Sequence, residues 1–347
     1  MSKKTFVAFT AGDFGDVIHC MAVLKAVAEK TGPVKMVYAN RGECKGIEER
    51  IDVIKPLIEA QPYIAEVEKW EGCPVHWQSN GFRFSTYSRT KSLAQAHLDH
   101  YLTIQGLPSI KPDFRQPWII DPDQLGPQYD TIIINRSSRY PNYLFPWREI
   151  VNKFGARIKF IGLQSEHDAF CAEFGNVGYF PTPTLLDAAD TIAGSSLFIG
   201  NQSSCFALAE GMKHPRILEV CPTKPDVIVA AEQPNCQYSC DGALTIDGTI
   251  FPSQALKTTD IPRYEIPPRG WRYPHPDEPE NRNIHIKGVS FPQVKHLIAQ
   301  TYGVDLDTAE KMLCDFAYHD NPGFWASDSA DAVTLTFREA LANSVQP

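Results

Sequence analysis

Two carboxylates and an imidazole, those of Asp13, Asp16 and His19, lie close together near the start of the chain. A carboxylate at a ligand-binding edge can take a proton from a hydroxyl group. An Asp at the beginning of a helix can also be an ordinary capping residue. Gly12 and Gly15 do not have the spacing of the dinucleotide fingerprint, and the neighbouring carboxylates would repel a pyrophosphate. The stretch therefore argues against a dehydrogenase and favours a base that acts on an alcohol.

The elements around this stretch would bring it to a ligand. Residues 6–9 are an apolar run typical of a buried strand, and apolar residues at 17, 21, 24 and 27 have the spacing of one helix face. A glycine-bearing turn therefore joins a strand to a helix. The N–H groups and the positive dipole end of that helix would lie at the carboxyl edge of the sheet, where open α/β sheets bind ligands.

Composition limits the class of protein. A chain of 347 residues, 43% of them hydrophobic, is long enough for two domains and an extension. The net charge of −8 argues against a protein that binds mainly by bulk attraction to phosphate backbones. The N-terminus lacks the apolar core of a signal peptide, and no run approaches the ~20 apolar residues of a membrane span. We therefore expect a cytoplasmic protein without membrane insertion.

Nine cysteines, an odd number scattered along the chain, indicate reduced thiols rather than a disulfide framework. Cys236 and Cys240, with Cys221 nearby, could ligate a metal, although their spacing is not that of a standard zinc knuckle. Free thiols are the preferred interpretation, and we expect no metal and no resident cofactor.

Strands and helices alternate along most of the chain, which predicts parallel sheets with helices on both faces. The expected strands cover residues 6–9, 34–39, 75–78, 131–135, 158–162, 197–200 and 216–220, and the expected helices 51–60, 90–105, 147–154, 166–174, 185–193 and 203–212. Pro and Gly residues at 119–127 indicate a link between domains. The pattern predicts an α/β protein with two Rossmann-like domains, 1–125 and 126–255, that face a cleft, and an extension over 256–347.

The extension begins with a proline-rich arm at residues 261–279. Arginines and aromatic residues alternate there, among them Trp271 and Arg272, and such a mixture can stack on rings and pair with phosphates. The simpler interpretation is an arm pinned across a domain by its aromatic side chains. Helices are expected at 292–302, 307–317 and 329–343.

Two motifs carry a family resemblance. Gly-Asp-Val-Ile-His at residues 15–19 resembles the first loop of the heptosyltransferases of glycosyltransferase family 9, roughly S-x-G-D-[VI]-[ILV]-H. Residues 186–211 resemble the second motif of that family, I-x-x-A-D-L-x-I-G-x-D-[ST]-G-x-x-H-L-A-A-A, and residues 215–222 resemble its P-x-[IV]-x-[IL]-[FY]-G-P. The likeness extends from about residue 4 to residue 225.

The resemblance implies a metal-independent, inverting glycosyltransferase of the GT-B fold, with the acceptor on the first domain and a nucleoside-diphosphate sugar on the second. By position, Asp16 matches the catalytic base of the family and Glu166 an acid that contacts the donor ribose. The match also assigns donor phosphates to two pairs of serines: Ser137 with Ser138, and Ser203 with Ser204 at a helix N-terminus.

The residues themselves agree with a departing diphosphate, because hydroxyl groups, helix N–H groups and arginines can stabilise its charge without a metal. Arg136 and Arg139 are near enough in sequence to serve, although each can be an ordinary loop charge. Ser203 and Ser204 can equally be helix caps, and Glu166 an ordinary first-turn acid.

The chain departs from the family pattern in places. Gln202 replaces the Asp thought to bind sugar hydroxyls, the motif histidine is absent, and the lysine expected near residues 143–146 is replaced by uncharged residues. The loss of that lysine leaves phosphate charge to arginines. Asp13 adds a carboxylate that could compete with Asp16 or couple to it.

We therefore expect a transferase that moves a sugar from a nucleoside diphosphate to an acceptor hydroxyl on a surface glycan of the lipopolysaccharide type. Asp16, with Asp13 and His19 beside it, would catalyse the transfer, and Gly12, Gly15, Trp271 and Arg272 would contact the acceptor. One alternative is a glycosyltransferase that acts on hydroxymethylated DNA bases, with the arm on the strand. The other is a binding protein that keeps the nucleotide-sugar site without catalysis.

Overall fold

The computed structural model describes residues 5–10, 13–39, 47–85, 92–120, 129–142, 144–221, 227–228, 235–239 and 242–252, and the backbone of 285–286 and 289–290. The chain divides into two units, Met1–Gln254 and Ala255–Pro347. In the second unit, β13 (His285–Ile286) pairs antiparallel with β14 (Val289–Ser290). The proline-rich arm and the three helices expected after it lie outside the described residues.

The first unit begins with a parallel sheet. Its described strands, in the spatial order β3-β2-β1-β4, are β1 (Val7–Thr10), β2 (Val34–Tyr38), β3 (Ile64–Lys69) and β4 (Trp77–Gln78). The helices around it are α1 (Phe14–Thr31), α2 (Ile47–Glu59), α3 (Phe82–Ser85) and α4 (Leu93–Thr103). A connection from β3 to the other side of β1 makes the β1/β4 boundary a topological switch point.

The second sheet is also parallel. Its described strands, in the order β10-β9-β8-β5-β6-β7, are β5 (Ile132–Asn135), β6 (Ile158–Phe160), β7 (Gly178–Tyr179), β8 (Leu197–Gly200), β9 (Arg216–Glu219) and β10 (Cys236–Ser239). This is the order of the doubly wound dinucleotide-binding fold, with its switch point between β5 and β8.

Four helices connect these strands: α5 (Trp147–Phe154), α6 (Gln164–Phe174), α7 (Leu185–Ala193) and α8 (Ser204–Met212). An antiparallel hairpin of β11 (Leu244–Ile246) and β12 (Thr249–Phe251) follows the sheet. The predicted α/β class with parallel sheets is confirmed. The boundaries at 125/126 and 255/256 stay predictions, since both fall outside the described residues.

The strands β3, β7, β10, β11 and β12 of the first unit were not expected. β3 buries Ile64 and Val67, which are three residues apart, and exposes the glutamates between and after them. Apolar residues at that interval do not show the alternation of a half-buried strand. Glu66 and Glu68 instead pair with Lys35 on β2, at 2.9 and 2.5 Å, so β3 is joined to the sheet by charge as well as by backbone hydrogen bonds.

One apolar cluster contains buried residues of both sheets, and a second lies on the second sheet with α5 and α6. Helix α1 packs on α4 and α8, and α2 packs on α7. The segment at residues 118–120 is held from both sides: the Trp118 and Ile119 N–H groups donate to the Gly211 carbonyl at 2.9 and 3.1 Å, and the Ile120 N–H donates to Gln61 Oε1 at 2.7 Å. Ligand access is therefore expected at the carboxyl edges of the sheets and not between these helices.

The described part of the chain contains no helix that combines the length and apolar character needed to cross a bilayer. The six cysteines in it, Cys20, Cys73, Cys171, Cys205, Cys221 and Cys236, are free thiols.

Candidate active site

Asp16 lies at the switch point of the first sheet. It is in the first turn of α1, which follows β1, and its side chain is only 7% exposed. The carboxylate accepts a hydrogen bond from the guanidinium of Arg83, in the short helix that follows β4. An adjacent guanidinium favours the ionised form of a carboxyl group. The two strand ends that flank the switch point thus supply the two members of one ion pair.

Asp13 is the residue before α1 and has an arginine of its own. Its Oδ1 lies 2.8 Å from Arg50 Nη2, and both side chains are partly exposed. Burial raises the pKa of the Asp13 carboxyl, but the hydrogen bond and charge of Arg50, with the charges of Arg139 and Arg83, outweigh it and lower the pKa. Asp13 is therefore ionised at neutral pH, with Arg50 as its ion-pair partner.

His19 lies on the buried side of α1. It is 1% exposed, its ring lies 6.2 Å from that of Trp118, and its Nδ1 has no hydrogen-bond partner among the described residues. Burial lowers its pKa to about 4, against the opposing charge of Glu210. The imidazole is therefore neutral at pH 7 and has almost no surface toward a ligand. A part in catalysis would have to act through Asp16, one helical turn earlier.

At the switch point of the second sheet, the loop after β5 is held by the loop after β8. Asn201 is fully buried; its Oδ1 accepts from the Ser137 N–H at 2.9 Å, and its Nδ2 donates to the Ser137 and Tyr140 carbonyls at 2.7 and 3.3 Å. Ser137 Oγ is buried without a hydrogen-bond partner among the described residues, while Ser138 is exposed. The two serine pairs expected to share a diphosphate are thus brought to one place.

The N-terminus of α8 is part of the same edge. Ser203 is the N-cap, and its hydroxyl accepts from the Phe206 N–H at 3.2 Å. Ser204 opens the helix and is partly exposed, and Gln202 is 4% exposed. The capping role expected for Ser203 is therefore present. The N–H groups at the start of the helix and its dipole provide a local preference for an anion.

Glu166 occupies the first turn of α6, beside Asn135 at the end of β5. Burial raises the pKa of its carboxyl, opposed by hydrogen bonds to the Leu163 backbone and the Asn135 side chain and by the charge of Arg139. The Glu166 charge also reaches Cys205 in the first turn of α8. Glu166 is therefore near both the α8 N-terminus and the loop after β5.

Arg139 connects the two edges electrostatically. Its guanidinium lies 5.5 Å from the Tyr140 ring centroid, and its side chain is exposed. Its charge lowers the pKa of Asp13, the residue before α1, at the edge of the first sheet. It also opposes the rise in the pKa of Glu166, in the first turn of α6, at the edge of the second sheet. The two switch points therefore share one exposed cation.

Arg136 has different surroundings. Its Nε lies 3.2 Å from both carboxylate oxygens of Glu219, its guanidinium lies 4.9 Å from the Phe174 ring centroid, and its side chain is 11% exposed. A second carboxylate, that of Glu173, lies 3.5 Å from Nη1. Arg136, which was expected to bind phosphate, is therefore paired with protein carboxylates.

Sequence reasoning missed four residues of this region: Arg50, Arg83, Asn135 and Asn201. The asparagines could have been found, because Asn135 ends β5 and Asn201 directly follows β8. The arginines could not, because they pair with residues 37 and 67 positions earlier and no local spacing marks such a pair.

The remaining expected site residues are Gly12, Gly15, Trp271 and Arg272. Gly15 lies in the first turn of α1 with open space around the position of a Cβ, so no close contact requires glycine there. Gly12, Trp271 and Arg272 lie outside the described residues. Among the residues that are described, no group of three or more His, Cys, Asp or Glu is arranged to hold a metal ion.

No protein-family model and no curated protein sequence matches this chain. Solved structures do match. The heptosyltransferase WaaC of E. coli with ADP is 12% identical, with 67% of this chain and 92% of that chain covered and a TM-score of 0.48. The glycosyltransferase of family 9 from Veillonella parvula DSM 2008 is 12% identical, with 69% and 87% covered and a TM-score of 0.45. The ADP-heptose lps heptosyltransferase II of E. coli is 10% identical, with 70% and 92% covered and a TM-score of 0.37.

Proposed function

We propose that this chain is a glycosyltransferase that moves a sugar from a nucleoside diphosphate to the hydroxyl group of an acceptor. The observation that carries the proposal is that Asp16, paired with Arg83, lies at the switch point of one sheet, while the loop held by Asn201 and the N-terminus of α8 lie at the switch point of the other. The charge of Arg139 acts on Asp13 beside the first and on Glu166 beside the second. One site would then hold a proton acceptor on the first sheet and an anion-binding edge on the second. The family 9 motifs at residues 15–19 and 186–211 point to the same chemistry.

Asp16 would be the general base. Its carboxylate takes the proton of the acceptor hydroxyl while the acceptor oxygen forms a bond to the anomeric carbon of the sugar. The bond from that carbon to the diphosphate breaks, and its electron pair leaves with the diphosphate. Attack on the face opposite the leaving group inverts the anomeric centre. Arg83, which is paired with this carboxylate, would hold it in place before the transfer.

The second sheet would hold the donor. The Ser137 and Ser138 hydroxyls, Arg139 and the α8 N-terminus at Ser203 and Ser204 would bind the diphosphate and stabilise the charge that gathers on it, without the need for a metal. Glu166 would accept a hydrogen bond from a ribose hydroxyl, and Gln202 would contact the sugar. In this arrangement the phosphate charge is met by Arg139 and by N–H and O–H groups.

The acceptor class depends on the resemblance, which favours a surface glycan of the lipopolysaccharide type. The alternative acceptor is a hydroxymethylated DNA base. The arm that suggests it, including Trp271 and Arg272, lies outside the described residues. A cytoplasmic location likewise stays an expectation.

The test is a panel of nucleotide sugars, with thermal stabilisation and sugar release or transfer measured in parallel. Asp16→Asn should abolish turnover and keep the stabilisation by the donor, whereas Asp52→Asn, an exposed aspartate on α2, should change neither. Turnover by Asp16→Asn at the wild-type rate would show that the base has been wrongly assigned. Stabilisation of the wild-type protein without any release or transfer would favour the non-catalytic binding protein.

A further inference from the structure

Glu219, the last residue of β9, is a fully buried carboxylate with donors on every side. Its Oε1 accepts from the Asn142 N–H at 2.6 Å, its Oε2 accepts from Trp147 Nε1 at 2.8 Å, and Arg136 Nε lies 3.2 Å from both oxygens. All these donors belong to the stretch between residues 136 and 147. One side chain of β9 therefore binds residues near both the start and the end of the connection from β5 to α5.

A buried carboxylate is unfavourable unless a cation and hydrogen-bond donors compensate for its lost hydration. Here one guanidinium and two N–H groups do so, and one of the N–H groups is backbone. The bond to the Asn142 N–H fixes the position of the main chain. The Asn142 side chain donates in turn to the Val220 carbonyl at 2.9 Å, so this end of the loop is tied twice to the end of β9.

The other end of the loop is held by Asn201, through the N–H and carbonyl of Ser137. Between these two attachments lie Ser138 and Arg139, both exposed. The loop of residues 136–142 is therefore fixed at its two ends and presents its middle to solvent. Such an arrangement preorganises a ligand-binding loop, because the loop pays little ordering entropy when the ligand binds.

We propose that Glu219 is a positioning residue for the donor: through Arg136 and the Asn142 N–H it holds the loop of residues 136–142 in the shape that binds the diphosphate. Arg136 is then the counter-ion of Glu219 and does not bind phosphate, in contrast to its expected role. This inference rests on the proposed function, since it names how the diphosphate site is built. Arg139 remains the arginine of the loop that meets the ligand.

The direct test compares Glu219→Gln with Glu173→Gln. Both change a carboxylate beside Arg136, but Glu173 is half exposed and makes no bond to the loop backbone among the described residues. The probes are ADP, UDP, GDP and CDP, and the one that stabilises the wild-type protein most is titrated into each variant. Glu219→Gln should weaken its binding about 10-fold or more, because charged hydrogen bonds that shape the loop are lost, and Glu173→Gln should change it less than about 2-fold.

Hydrogen exchange of the backbone amides at residues 137–140 and 142, measured without ligand, should become faster in Glu219→Gln and stay unchanged in Glu173→Gln. Faster exchange with unchanged diphosphate affinity would overturn the positioning role of Glu219 and leave the proposed function standing. No binding of any of the four diphosphates to the wild-type protein would overturn the proposed function and this role with it.

A second comparison separates a counter-ion from a phosphate ligand. Arg136→Gln leaves Glu219 buried without its cation, so it should be unstable and bind the diphosphate weakly. The double variant Arg136→Gln/Glu219→Gln removes both charges and should recover stability and affinity relative to Arg136→Gln, a coupling that a double-mutant cycle measures. If the double variant binds the diphosphate no better than Arg136→Gln in a folded state, Arg136 acts on the ligand and our assignment is wrong. This comparison still tests the proposal if the single variant Glu219→Gln does not fold.

Discussion

Arg83 and Asp16 form an ion pair across the switch point of the first sheet, although 67 positions separate them in the chain. Asp16 follows β1 and Arg83 follows β4, and these strands are neighbours in the sheet. The proposed base is therefore buried and paired with a group from the adjacent strand end.

Replacing Arg83 tests whether this orientation matters. Arg83→Gln should reduce kcat about 10-fold or more, since a base that is not held in place is misaligned for proton transfer. Stabilisation by the donor should not change, because Arg83 lies in α3 after a strand of the first sheet, whereas the expected donor residues follow strands of the second. Arg115→Gln, which removes an exposed arginine paired with Asp113, is the control. Equal loss of donor binding and turnover in Arg83→Gln would indicate general disruption of the fold.

Arg139 provides a prediction that combines binding and titration. Arg139→Ala should weaken diphosphate binding roughly 10-fold and reduce its dependence on salt, because a charged contact is lost. It should also raise the pKa of both Asp13 and Glu166, since the Arg139 charge favours the ionised form of each. NMR titration of the carboxyl groups measures this, with Arg148→Gln as a control. A shift of only one of the two pKa values would contradict the shared position of Arg139.

Gly162 tests the packing around Glu166. Its φ is +110°, and a Cβ there would lie 2.5 Å from Asn135 Nδ2 and 3.5 Å from Glu166 Oε2. Gly162→Ala should therefore displace Asn135, weaken donor binding and lower the free energy of unfolding by about 1–3 kcal/mol or more. Gly106→Ala is the matched control, because Gly106 also has a positive φ, +81°, with nothing within 4 Å of its Cβ position. If Gly162→Ala and Gly106→Ala lower the free energy of unfolding in urea equally, backbone strain explains the whole effect and the contact with Asn135 adds nothing.

Buried histidines should make the fold sensitive to acid, and His19 and His214 are two of them. Burial lowers the pKa of His19 and of His214 from 6.5 to about 4. Between these values the unfolded chain binds protons that the folded chain does not, so stability rises with pH from 4 to 6.5 and is lost as pH falls. Each histidine contributes on the order of 3 kcal/mol to this change.

Urea unfolding at several pH values between 4 and 7.5 measures the effect. The variant His19→Gln/His214→Gln should show a shallower dependence of its unfolding free energy on pH, even if it is less stable throughout. An unchanged slope would mean that these imidazoles titrate normally in the folded protein.

Elements that depend on local pattern were predicted well. The bounds expected for α5, α7 and β8 are those observed, because the apolar spacing of each segment is complete within it. β3 was missed because its burial is irregular and Lys35, on another strand, helps to hold it in the sheet. The proline-rich arm and the helices beyond it remain predictions.

The order of residues along the chain was enough to predict which side chains reach the carboxyl edges: Asp13 and Asp16 after β1, Ser137 after β5, Glu166 after β6 and Ser203 after β8. It could do so because a residue that directly follows a parallel strand must lie at that edge. The folded chain was needed to show that Asp16 pairs with Arg83 and that Arg136 pairs with Glu219, 83 positions later. The physical reason is that a charge selects its partner by distance in space and by burial, and the order of strands in a sheet sets both.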